Sequence, residues 1–86
     1  MELKTLDNIH FVVILSNTNF KVSFSDKYYD LLVKKLGSRL LKEEIIEASF
    51  NFLLDRESKN QILREFNIEI IKNYFPEFEN KVKDYL

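Results

Sequence analysis

The sequence predicts an α+β fold in which an N-terminal antiparallel β-hairpin packs against four to five short helices. Residues 9–15 and 20–24 are rich in β-branched and aromatic side chains, which are typical of strands. From residue 26 onward, apolar residues recur mostly every three or four positions, as they do on amphipathic helices. Strands and helices that occur in separate blocks indicate an α+β rather than an alternating α/β architecture.

The hairpin is predicted from two apolar segments, Ile9–Leu15 and Phe20–Phe24, which a cluster of Ser, Asn and Thr separates. Successive residues of a strand point to opposite faces, so Val12 and Ile14 are expected on a second apolar face. A further short strand near Leu3 is an alternative that extends the hairpin to a three-stranded meander. Because a lone hairpin is marginal in water, the helices are expected to cover its apolar face.

Local signals predict where the helices begin and end. Ser25 or Asp26 can cap the first helix, and Gly37, the only glycine, suits the position just after its end. A capping box that begins at Ser58 predicts another start, and Pro76 separates the last two helices. The second helix is apolar over more than half of its circumference, so we expect it to be central and buried. The predicted helices are Asp26–Leu36, Leu41–Leu54, Lys59–Phe66, Ile68–Tyr74 and Glu77–Tyr85.

Length and composition limit the possible classes of protein. We treat residues 1–86 as a single small globular domain, with 45% hydrophobic and 31% charged residues, which is too hydrophobic for a disordered chain. The absence of cysteine excludes disulfides and thiolate metal sites. No apolar run approaches the roughly 20 residues that span a bilayer, and no secretory signal begins the chain. We therefore expect a soluble cytoplasmic protein with no membrane association.

The residues that could carry catalysis occur without the neighbours that catalysis needs. His10, the only histidine, lies in a predicted strand with no nucleophile in sequence reach. Gly37 alone cannot form a phosphate-binding loop. The carboxylates Glu43, Glu44 and Glu47 have no histidine at ligand spacing. We therefore expect a non-enzymatic protein with no cofactor and no metal.

Apolar positions exceed what a hairpin and short helices readily cover, and such a surplus is typical of interaction surfaces. The leading interpretation is a small protein-interaction domain that self-associates as a homodimer or binds another protein. The residues predicted to form the partner-binding surface are Val12, Ile14, Tyr29, Phe75 and Phe78.

Charge is unevenly distributed, although the net charge is only −1. The segment Lys27–Lys42 contains five basic residues and a single acidic residue, Asp30. Such a run usually forms a solvated helix surface. The alternative is a local basic patch formed by Lys34, Lys35, Arg39 and Lys42.

The strand FKVSFS and the two helices that follow it, from Phe20 to Leu54, resemble a ribbon-helix-helix DNA-binding domain. In that family two chains pair their strands, and the paired ribbon enters the major groove. The resemblance implies that Lys21 and Ser23 read bases and that the start of the second helix contacts phosphate. It supports an alternative function, a dimeric DNA-binding transcriptional regulator. The DNA-binding residues would then be Lys21, Lys34, Lys35, Arg39 and Lys42.

Overall fold

Four strands form one mixed sheet in the computed structural model, which describes residues 1–86, and this confirms the α+β class. The first three strands are an antiparallel meander, so the three-stranded alternative is present. The fourth strand, which the sequence did not predict, runs parallel to the third. The strands are β1 (Glu2–Thr5), β2 (His10–Leu15), β3 (Thr18–Ser23) and β4 (Glu65–Asn67), and they lie in this order across the sheet.

The first helix begins and ends where local signals predict, and the second begins at Lys42, one residue after the predicted start. The Ser25 hydroxyl accepts a hydrogen bond from the Tyr28 N–H at 3.1 Å, and Gly37 ends the first helix with φ of 74°. The remaining helical segments are short, and each joins a 3₁₀ turn to an α-helical turn or stands as a 3₁₀ turn alone. The α-helices are α1 (Asp26–Leu36), α2 (Lys42–Leu54), α3 (Ile71–Tyr74) and α4 (Phe78–Lys81), and the 3₁₀ turns are Lys59–Gln61, Ile68–Ile70 and Val82–Tyr85.

The turn between β2 and β3 is shorter than predicted. Ser16 and Asn17 alone form it, with φ of 46° and 70°, and Leu15 pairs with Thr18. Positive φ at both central residues is the requirement for a type I′ turn, whose twist matches that of the flanking strands. The return strand therefore begins at Thr18 rather than at Phe20.

The prediction of a helix over Lys59–Phe66 is wrong. Only the first three residues are helical, and the Gln61 side chain accepts the Ser58 N–H at 2.9 Å, as the capping box predicts. The chain then extends, and Arg64 accepts a backbone hydrogen bond from Lys21 of β3 at 2.8 Å. Without β4, the backbone groups on the second edge of β3 would have no partner, so pairing overrides the local helical signal.

Helix α2 lies at the centre of the core, as predicted. Seven of its residues are buried, and its one buried polar side chain, Ser49, donates to the Ile45 carbonyl oxygen at 2.7 Å. The Phe50 ring contacts Phe20 of β3 and Phe66 of β4, with centroid distances of 5.4 and 5.8 Å. The helices cover one face of the sheet, and the opposite face is open to solvent.

A small polar cluster joins α1 to the C-terminal helices. The buried Tyr28 hydroxyl donates to a Glu79 carboxylate oxygen at 2.7 Å, and the Lys35 ammonium lies 3.3 Å from the other oxygen. Burial by itself would raise the pKa of Glu79, but the hydrogen bonds from Tyr28 and Lys35 outweigh it and hold that pKa below its ordinary value. Burial and the hydrogen bond to Glu79 both raise the pKa of Tyr28.

We expect Glu79→Gln to lower the free energy of unfolding at pH 7 by about 1–2 kcal/mol, because the hydrogen bond from Tyr28 then ends on a neutral acceptor. Since the pKa of Glu79 is lowered in the folded protein, its contribution is present above the ordinary pKa of 4.5. That contribution is lost as pH falls through the lowered pKa. Urea unfolding at pH 7 and at about pH 3 should therefore give a difference between the two proteins that shrinks at low pH. Glu47→Gln, at an exposed position of α2, is the matched control; a Glu79→Gln difference independent of pH would contradict this interpretation.

Candidate functional site

An open groove of about 290 Å³ lies beside β4, between the C-terminal end of α2 and α3. Eight of its ten lining residues are apolar. We call it the apolar groove. It is lined by Leu53, Glu57, Gln61, Ile62, Leu63, Phe66, Ile70, Ile71, Tyr74 and Phe75.

The apolar groove is continuous with the core but open to solvent. Leu53, Ile62 and Ile71 are buried and form its floor. Leu63 and Tyr74, by contrast, remain 49% and 62% exposed at its rim. Exposing apolar side chains of this size to water costs free energy, and an apolar group that bound over them would recover that cost.

Glu57 is the only charged residue that lines the apolar groove. Burial raises its pKa, and no neighbouring charge or hydrogen bond offsets the effect. The carboxylate is thus partly removed from water without a compensating partner from the chain, which leaves it able to attract a cation.

Only one of the five predicted partner-binding residues, Phe75, lines the apolar groove. Phe78 is fully buried, with its ring 5.2 Å from that of Phe52, so it belongs to the core and does not contribute to a surface that a partner could contact. Tyr29 is half-buried, and its hydroxyl donates to the Leu40 carbonyl oxygen.

Val12 and Ile14 point to the solvent-exposed outer face of the sheet, where they are half-buried. The strand pairing places Val12 in one row with the exposed residues Lys4, Lys21 and Glu65. Their apolar surface is therefore small, separated by charges, and distinct from the apolar groove.

Leu63 and Tyr74 are residues that sequence reasoning did not select. Leu63 lies within the predicted helix Lys59–Phe66, but in the structure it follows the 3₁₀ turn, in the irregular segment before β4, and its side chain is exposed. No local pattern distinguishes the two conformations, because the strand forms only when β3 is beside it.

The predicted basic residues lie on different elements, and two of them have partners within the chain. Lys21 is exposed on the outer face of β3, Lys34 lies on α1, and Arg39 lies in the loop after Gly37. Lys35 is paired with the carboxylate of Glu79.

Lys42 is a structural residue rather than part of an exposed patch. Its ammonium group donates to the carbonyl oxygens of Asn8 and Phe24, each at 2.7 Å, and to the Asp26 carboxylate at 2.8 Å. Its side chain is only 10% exposed. The lysine therefore joins the β1–β2 connection, the end of β3 and the start of α1, and it is not available for a phosphate.

The strand arrangement also differs from that of a ribbon-helix-helix domain. Strand β3 pairs with β2 on one edge and with β4 on the other, so neither edge is free to pair with a second chain. The local order of strand, helix and helix is present, but β3, the strand that the resemblance assigns to the intermolecular ribbon, is already paired on both sides.

His10 is exposed, and its Nδ1 lies 3.0 Å from each carboxylate oxygen of Asp7. Backbone hydrogen bonds from Ile9 and His10 lower the pKa of Asp7, so this carboxylate organises the turn before β2. Ser23 is the cross-strand neighbour of His10, but no hydrogen bond joins the two side chains.

We expect Lys42→Met to lower the free energy of unfolding by about 1–3 kcal/mol, because two carbonyl oxygens and one carboxylate lose their donor. Lys34→Met, at an exposed position of α1, is the matched control and should change the free energy by less than about 0.5 kcal/mol. Thermal and urea unfolding of both variants measure the difference, and equal effects of the two substitutions would contradict the structural role of Lys42.

No three His, Asp or Glu side chains lie together in a way that could hold a metal ion. The helices are all too short or too polar to cross a bilayer. Comparisons with protein-family models, curated proteins and solved structures give no significant match.

Proposed function

We propose that this chain is a non-enzymatic protein-interaction domain whose apolar groove binds an apolar segment of another protein. The observation that carries the proposal is the combination of eight apolar lining residues with two rim residues, Leu63 and Tyr74, that are about half exposed or more. An apolar concavity of this kind favours ligands that bring matching apolar surface. Self-association, also expected from the sequence, stays a prediction.

The driving force for binding is the apolar surface that the groove leaves in water. Each Å² of apolar surface that is covered contributes roughly 25 cal/mol. Leu63 and Tyr74 are the most exposed apolar side chains of the groove, while the buried floor at Leu53, Ile62 and Ile71 supplies close packing. A partner segment that inserts one or two large apolar side chains would cover the exposed rim and would also pack against the buried floor.

Glu57 adds a requirement on the charge of the partner. Its raised pKa reflects the loss of water around the carboxylate, and no basic residue of the chain offsets that loss. A lysine or arginine of the partner would stabilise the charged form. We therefore expect the bound segment to carry apolar side chains and one basic side chain.

Selection of random phage-displayed peptides on the immobilised chain tests this proposal directly. We expect the selected peptides to be apolar with one Lys or Arg. Their dissociation constants should rise at least about tenfold for Leu63→Ser or Tyr74→Ser, because apolar contact area is lost. Glu57→Gln should reduce the preference for a basic residue while apolar binding persists.

Leu41→Ser is the matched control, since Leu41 is 65% exposed but lies outside the apolar groove. If the selected peptides bind the Leu63→Ser and Leu41→Ser variants equally well, then the peptides bind outside the apolar groove. Failure to select any peptide that depends on the groove would overturn the proposal.

A further inference from the structure

Strand β1 forms one edge of the sheet, and its outward backbone groups can be identified from the hydrogen bonds of its neighbours. Phe24 donates to Ile9, which shows that the odd-numbered residues of β2 face β3. The even-numbered residues of β2 therefore face β1, and Leu6 donates to His10 in agreement. Because an antiparallel ladder alternates in this way, the N–H and C=O groups of Leu3 and Thr5 point away from the sheet.

These outward groups have no partner within the chain. No turn, loop or cap hydrogen bond involves the backbone of Leu3 or Thr5. The strand is nevertheless held in place, because the Thr5 hydroxyl donates to the Glu43 carboxylate of α2 at 2.8 Å. The edge of β1 is thus an ordered strand whose free side is open, which is the usual template for pairing with another strand.

Only one antiparallel pairing of β1 with its own copy matches the charges of the strand. In any antiparallel pairing of two β1 strands, the residues whose backbone groups point outward must lie opposite each other. The sequence of β1, ELKT, therefore allows only a few pairings. A pairing centred on Glu2 or Lys4 opposes identical charges, and one centred on Thr5 places Lys4 opposite Leu6. A pairing centred on Leu3 places Glu2 of each chain opposite Lys4 of the other.

We propose that a second copy of this chain binds along β1, with the two strands antiparallel and the two-fold axis at Leu3. The paired Leu3 residues exchange backbone hydrogen bonds, and the two sheets become one sheet of eight strands, four from each copy. The Glu2–Lys4 pairs occupy non-hydrogen-bonded positions, where opposing Cα atoms are only about 4.5 Å apart and side chains interact most closely.

The geometry also explains why this assembly closes as a dimer. The same surface is used by both copies, so the contact is isologous and does not propagate. The other edge of the sheet is β4, which has only three residues. The apolar groove lies beside β4, so pairing through β1 leaves the groove free to bind a partner.

Charge reversal tests the pairing. Light scattering of the untagged chain at increasing concentration should show a mass that approaches twice 10.4 kDa. We expect Lys4→Glu and Glu2→Lys, made singly, to raise the dimer dissociation constant at least about tenfold, because like charges then oppose each other twice. The double variant E2K/K4E should restore dimer formation close to that of the wild type, since opposite charges again face each other.

Lys21→Glu is the control, because Lys21 is exposed on the same face of the sheet but two strands away from the proposed contact. A monomer up to about 1 mM would overturn the proposal, as would a dimer that neither single reversal weakens or that the double variant fails to restore. A dimer that Leu63→Ser weakens while the charge reversals do not would place self-association at the apolar groove instead. Peptide binding at the apolar groove is measured separately from dimer formation, so failure of one proposal can be distinguished from failure of the other.

Discussion

The packing of α2 against the inner face of the sheet is the constraint on which the rest of the structure depends. The Phe50 ring lies between Phe20 of β3 and Phe66 of β4, and it is completely buried. This contact brings together two strands that are more than 40 residues apart in the sequence. Helix α2 therefore covers the meander and also supplies the surface on which the last strand is placed.

The end of α2 controls the C-terminal segments in a similar way. The Phe52 ring packs against Phe75, Phe78 and Tyr85, with centroid distances between 5.2 and 5.9 Å. The Arg56 guanidinium stacks 3.6 Å from the Phe52 centroid and bonds the Glu77 carboxylate at 3.0 Å. These contacts hold the short helices on one side of α2, and the space that remains between them and β4 is the apolar groove.

The two surfaces proposed for binding arise from opposite edges of the same sheet. At the β4 edge, a short strand and short helices leave apolar side chains partly uncovered, because segments of three or four residues cannot enclose a large surface. At the β1 edge, the backbone groups of Leu3 and Thr5 face solvent and have no partner within the chain. One surface thus favours apolar contact, whereas the other favours strand pairing directed by Glu2 and Lys4.

Local signals were sufficient for several parts of the fold. The caps at Ser25 and Gly37, the inward positions of Phe20 and Val22, and the burial of α2 all follow from interactions within a few residues or from side-chain periodicity. The caps depend only on neighbouring residues, and the periodicity of apolar side chains shows which face of a strand or helix will be buried, so a sequence pattern can predict these features.

The amino-acid sequence by itself determined the α+β class, the antiparallel strands and the first two helices of this protein. Only the tertiary structure decided that residues 65–67 form a strand, that Phe78 is buried and Leu63 exposed, and that Lys42 serves internal carbonyl groups. Each of these depends on a partner far away in the chain: β3 for the strand, Phe52 for Phe78, and Asn8 and Phe24 for Lys42. Local patterns carry no information about such partners, because backbone pairing and burial are satisfied only when distant segments meet.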